Sequence, residues 1–175
     1  TNLAYQSFFV SPHAVKMLET IKFSYLRLGD IRKNISIVEP ILRDSNMLSL
    51  DISSISSAYA KANNYCSPNG LNGNEICKLL FYAGVSDKLK SFGVFEYNQN
   101  LDQDDQTAKL ISQIIWYFLE GFQSRVSEET PSSKNLIFYN VTGENDTNNM
   151  VFCKSKLSNR WWIVMKKEHR YNKLK

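Results

Sequence analysis

The sequence predicts an α/β fold: a parallel sheet with helices on both faces, and an antiparallel β meander added at the C-terminal end. Three observations predict it. Up to about residue 125, short apolar runs alternate with stretches of helical periodicity, the order expected of β-α-β units. Two of those apolar runs end in a carboxylate, Asp51 and Glu96, and open α/β sheets bind ligands beyond the carboxyl ends of their strands. After Pro131 the helical period stops, and short apolar segments separated by polar turns take over. The expected division is residues 1–128 for the α/β part and 129–175 for the β extension and basic tail.

The elements follow in order. Leu3–Val10 is short, apolar and aromatic, which predicts a buried strand. Ser11-Pro12 supplies an N-cap and first-turn proline for a helix to about Lys22, with Val15, Leu18 and Ile21 at helical spacing. Phe23–Leu28 is a second candidate strand, and Ile37–Asp44 a short helix with Pro40 in its first turn. Met47–Ile52 is a strand that carries Asp51. Residues 53–70 are Ser- and Asn-rich, a connection long enough to be functional or mobile. In Leu71–Ala83, Ile76, Leu79, Leu80 and Ala83 form the apolar stripe of a helix, Glu75 sits in its first turn, and Gly84 is expected to end it. Ser91–Tyr97 is the strand that carries Glu96. Asp102, Asp104 and Asp105 open a long helix to about Ser124, where acids suit the helix dipole. Leu136–Val141, Met150–Ser155 and Arg160–Met165 are the strands of the meander. Within the last, Trp161 and Trp162 should face opposite sides, although both are expected to find packing.

Composition narrows the class. The 43% hydrophobic and 22% charged residues are ordinary for a globular domain. No apolar run is long enough for a membrane helix, and no signal peptide opens the sequence. Three cysteines, Cys66, Cys77 and Cys153, without a C-x-x-C, fit reduced thiols in a cytoplasmic protein better than a zinc or disulfide framework. The sequons at Asn34, Asn140 and Asn145 then carry no glycan. Residues 151–175 hold eight Lys/Arg against one acid, and the rest of the chain is net acidic. That tail is expected to be solvated, and it lacks a nucleic-acid motif.

A carboxylate at the end of a buried strand is costly unless it is paired, capped or metal-bound. By themselves Asp51 and Glu96 favour capping. Their surroundings add to this: LSLDISS (48–54), NGLNGNEICKLLFYAG (69–84) and GVFEYN (93–98) come in one order ahead of a long amphipathic helix. Together, over residues 1 to about 125, they resemble the C-terminal half of the arginase, agmatinase and formimidoylglutamase (ureohydrolase) family, in its formimidoylglutamase-like variant. The resemblance implies a partial arginase-like fold. It implies that Asp51 is the first aspartate of a metal-binding Asp-x-Asp pair, with Ser53 at the second, degenerate position. It implies that Glu96 contacts the substrate, with Asn98 after it, and that Glu75 is structural. The family hydrolyses a guanidino or formimino C–N bond with a pair of manganese ions. Its other ligands come from a histidine near a Gly-Gly pair and an Asp-x-His-x-Asp motif, neither of which occurs here; His13 and His169 are expected at the surface.

The expectation is therefore a ureohydrolase-family protein, degenerate or incomplete in this chain, with manganese weakly held or absent. The alternative is a non-catalytic interaction protein on the same scaffold. Because the chain begins at Thr1 and half a sheet leaves an unpaired edge, a fragment is expected, completed by a missing N-terminal half or by self-association.

Overall fold

The computed structural model describes residues 1–128, 133–141, 150–165 and 170–173. The chain divides into two compact units, Thr1–Ser124 and Arg125–Lys175.

In the first unit, β1 (Asn2–Tyr5) leads through α1 (Pro12–Thr20) to β2 (Tyr25–Arg27). α2 (Leu28–Lys33), a 3-10 turn (Ile35–Val38) and α3 (Glu39–Arg43) then lead to β3 (Met47–Asp51). α4 (Gly73–Val85), β4 (Ser91–Phe95) and α5 (Gln106–Gln123) complete it. β1 pairs with β2 and β3 with β4, both parallel, as two separate two-stranded sheets. The expected parallel α/β architecture is present, but the strands do not form one continuous sheet.

The local chemistry explains most boundaries. Ser11 caps α1 by accepting from the Ala14 N–H at 3.2 Å, with Pro12 in the first turn. α4 opens on a capping box: Asn72 Oδ1 accepts from the Glu75 N–H and Glu75 Oε2 accepts from the Asn72 N–H, both at 2.8 Å. Glu75 also pairs with Arg32 at 3.1 Å, and Arg32 donates to the Gly70 carbonyl. Its role is structural, as expected.

Three expectations are corrected here. The first strand ends at Tyr5 instead of Val10, because Ala4 takes a left-handed φ of 65° and the register with β2 slips there. α2 has no counterpart in the sequence reading. Gly84 does not end α4: the helix runs on to Val85, and Ser86 caps it. Gly84 serves packing instead. A Cβ on it would lie 2.1 Å from the Phe118 carbonyl oxygen, and one on Gly121 would lie 2.3 Å from the Phe81 carbonyl oxygen. α4 and α5 therefore cross backbone to backbone on two glycines. Ile76, Leu79, Leu80, Leu110 and Ile114 join Leu42, Leu50, Ile52 and Ile55 in the core beneath.

The second unit is an antiparallel meander of β5 (Leu136–Val141), β6 (Met150–Ser155), β7 (Trp161–Met165) and β8 (Arg170–Lys173). β8 adds a strand to the three expected: within the segment read as a tail, Arg170–Lys173 pairs with β7. The rest of that tail, 166–169 and 174–175, lies outside the described residues. Trp162 is buried with Leu136 and Cys153. Trp161 faces the other way, with its ring 5.1 Å from that of Tyr139 and the Lys154 ammonium over it. A buried acid holds the 155–158 turn, since Glu128 accepts from the hydroxyls of both Ser155 and Ser158.

Candidate functional site

The register of β3 and β4 sets the site. Asp51 stands opposite Phe95, so Asp51 and Glu96 come to the same carboxyl edge on neighbouring strands. Both are solvent-exposed. In a regular strand Glu96 would turn to the face opposite Phe95, and hence opposite Asp51. The backbone of Glu96 breaks that alternation with a left-handed φ of 66°. For a residue with a Cβ this costs about 1–2 kcal/mol, and such strain collects at functional positions.

The residues after Glu96 are tied down. Tyr97 donates its hydroxyl to Asp102 at 3.0 Å. The Asn98 N–H donates to the Ala62 carbonyl at 2.8 Å, and Asn98 Oδ1 accepts from the Asn100 N–H at 3.1 Å. Asp102 also accepts from the N–H groups of Thr107 and Ala108, at 2.9 and 2.8 Å, and so caps α5 from a distance. Partial burial pushes its carboxyl up, but these donors outweigh it, and the group ends below its ordinary value. The sequence placed the start of this helix at Asp102, Asp104 and Asp105. The helix begins at Gln106, and Asp104 and Asp105 occupy left-handed turns before it.

The 53–70 connection is held in place at several points. Ile55 bridges to Leu71 and Ser56 to Ser67. The Thr107 hydroxyl, fully buried, accepts from the N–H groups of Lys61 and Ala62 at 3.1 and 3.2 Å. That link joins the loop to the start of α5, and no sequence signal marked Thr107. Asn63 is buried, and its Nδ2 has no hydrogen-bond partner among the described residues.

Asp51 and Ser53 form a turn. Asp51 Oδ1 accepts from the Ser53 N–H at 2.8 Å, and the Ser54 hydroxyl donates to the Asp51 carbonyl. Both residues also line a cavity of about 890 Å³ between β1 and β3, whose lining does not include Glu96 or Asn98. The site residues thus divide, with Asp51 and Ser53 on the cavity and Glu96 and Asn98 on the neighbouring edge.

The sequence profile described as the arginase family matches residues 8–120. The chain belongs to the arginase family. No curated protein matches it by sequence. Among solved structures, this arginase-family chain resembles formiminoglutamase from Trypanosoma cruzi, with a TM-score of 0.66 and 18% identity over 71% of this chain and 44% of that one. It resembles formimidoylglutamase from Bacillus subtilis at a TM-score of 0.64 and 18% identity, over 70% of this chain and 41% of that one. Arginase from Bacillus caldovelox gives 0.59 and 15%, over 66% and 41%. The chain spans less than half the length of each. The T. cruzi enzyme has been solved with Mn2+.

The residues present do not fit a two-ion manganese centre. Among the described residues, no three His, Cys, Asp or Glu side chains gather closely enough to hold a metal ion. Asp51 already caps a turn, and Ser53 offers a neutral hydroxyl where a carboxylate would add charge and a strong ligand. No helix among the described residues is long and apolar enough to cross a membrane.

Proposed function

We propose that this arginase-family chain carries the cation-binding edge of a ureohydrolase scaffold, and that in this chain hydrolysis of a guanidino or formimino C–N bond is weak or lost. Glu96 takes the guanidinium or amidinium of a small substrate, Asn98 borders it, and Asp51 is a lone ligand that holds manganese weakly. The observation that supports this is the left-handed backbone at Glu96, which follows the residue opposite Asp51, leaves its carboxylate exposed, and precedes two residues tied down by Asp102 and Ala62. A planar cation with paired N–H donors suits an exposed carboxylate. Reducing cytoplasm as the compartment agrees with three free cysteines, two of them buried thiols pushed upward by burial.

Calorimetric titration of the full chain with agmatine, arginine and formiminoglutamate, with and without Mn2+, tests the reading. Glu96→Gln should weaken binding about tenfold or more, as loss of a charge-assisted hydrogen bond does. Equal affinity in the variant refutes the substrate role, and two tightly bound manganese ions per chain refute the weak-metal part.

A second reading, a non-catalytic interaction protein on the same scaffold, has its own observation. α5 leaves Trp116, Leu119 and Phe122 about half exposed or more. A concentration-dependent mass in sedimentation, abolished by Trp116→Ala, would favour it over ligand binding.

A further inference from the structure

The C-terminal unit buries one face of its sheet and leaves the other open. Leu136, Cys153 and Trp162 form its small core. Side chains alternate along a strand, so Trp161 and its cross-strand partner Lys154 turn to the opposite face, with Ile137 beside Lys154 and Tyr139 further along β5. Tyr139 is 42% exposed and Trp161 37%, although their rings lie 5.1 Å apart and tilted by 33°. The two stand on strands that do not pair with each other, and they meet across β6. The Lys154 ammonium sits 5.6 Å from the centre of the Trp161 ring. Lys134 and Lys156, both exposed, come together at the same end of the sheet, where the Lys156 ammonium donates to the Lys134 carbonyl at 3.3 Å. The open face is therefore an aromatic platform bordered by cations.

Charge decides what fits it. Residues 125–175 hold ten Lys/Arg against five Asp/Glu, whereas residues 1–124 hold eleven against twelve. One of the five acids, Glu128, is buried against Ser155 and Ser158. A second copy would set two basic surfaces against each other. An acidic peptide would meet the lysines and leave the rings unused. A strand of unpaired nucleotides uses both, because its phosphates meet ammonium groups and its bases stack on exposed rings. We propose that the open face of the β5–β8 sheet, centred on Tyr139 and Trp161 and bordered by Lys134, Lys154 and Lys156, binds single-stranded nucleic acid. A duplex keeps its bases stacked on one another and offers only phosphates, so it is the weaker ligand. No motif in the sequence marks the face, because the rings come together only through strand pairing. The inference goes beyond the proposed function and lies in the other unit, so failure of cation binding at Glu96 leaves it intact.

The test titrates the full chain into a fluorescein-labelled oligothymidine of about fifteen nucleotides, followed by anisotropy at low salt. Affinity should fall about tenfold or more in Trp161→Ala and in Tyr139→Ala, as loss of one stacked base does. It should be kept in Trp161→Phe, which retains a ring, and in Phe8→Ala, which removes an exposed ring of the other unit. Lys154→Gln, which spares both rings, should reduce the slope of log affinity against log salt by about 0.7, the share of one phosphate on a single strand. No binding at low salt overturns the proposal. Equal binding by the parent and both ring variants, or an unchanged salt slope in Lys154→Gln, overturns it as well. So does tighter binding of a duplex of the same length. A mass that rises with concentration in sedimentation and is lost in Trp161→Ala also overturns it, because a second copy then covers the face.

Discussion

Gly84→Ala is the sharpest test of how the α/β unit is held together. In an unconstrained helix the change would stabilise, because alanine exceeds glycine by about 1 kcal/mol in helix propensity. At this crossing the new Cβ would lie 2.1 Å from the Phe118 carbonyl oxygen and 3.0 Å from the Phe122 nitrogen. The obstacles are backbone atoms of α5, so no side chain can rotate away. The helices would have to separate by about an ångström, loosening Leu79, Leu80 and Ile114 in the shared core. Overpacking costs about 1–3 kcal/mol, and a backbone obstacle belongs at or beyond the upper end. After the propensity gain, the net loss should be on the order of 2 kcal/mol, or about 4–8 °C in melting temperature for a chain of this size. Urea denaturation with an unchanged slope measures it. Gly29→Ala is the control: it lies in α2 with nothing within 4 Å of its Cβ, and should be neutral or slightly stabilising. If Gly84→Ala proves as stable as Gly29→Ala, the backbone-to-backbone crossing is wrong.

Other outcomes follow from the site. Thr107→Val keeps the shape but removes the acceptor shared by Lys61 and Ala62, so it should cost about 1–3 kcal/mol and speed amide exchange at those two residues. The folded Asp102 carboxyl lies below its ordinary value, so its contribution is present above the unfolded carboxyl range and is lost as pH falls through the folded value. Acid titration of stability should show a shallower low-pH loss in Asp102→Asn than in the parent. Glu96→Gly should remove the left-handed strain and raise stability by about 0.5–1 kcal/mol in thermal melts, while abolishing cation binding in titration.

Local chemistry carried well from sequence to structure. Ser11-Pro12 marked the start of α1, and Glu75 falls in the first turn of α4 as read, although the capping box that it forms with Asn72 was not anticipated. The strands that lead to Asp51 and Glu96 were visible as apolar runs because burial on a sheet imposes that pattern, although the second ends at Phe95 instead of Tyr97. Features set by distant partners were not visible. Gly84 has the local signature of a helix end, and only the approach of Gly121 on another helix explains why the helix continues. Thr107 looks like any threonine near a helix start until the 61–62 backbone reaches it. The early end of β1 depends on the backbone angle of Ala4, which an alanine gives no reason to expect. For the candidate site, the strand edge at which Asp51 and Glu96 stand was legible. Their division between the cavity and the neighbouring edge was not, because it depends on what lies beside β1 and β3.

The carboxylate of Glu128 has a practical consequence for where this protein can be cut. The chain divides at Ser124, yet the acid that follows belongs with the turn at 155–158, whose two hydroxyls it receives. A recombinant α/β unit should therefore stop at Ser124 and leave Glu128 behind. Extended only a few residues further, it would carry an acid severed from both serines. A β unit begun after Glu128 would fold with two hydroxyls robbed of their acceptor.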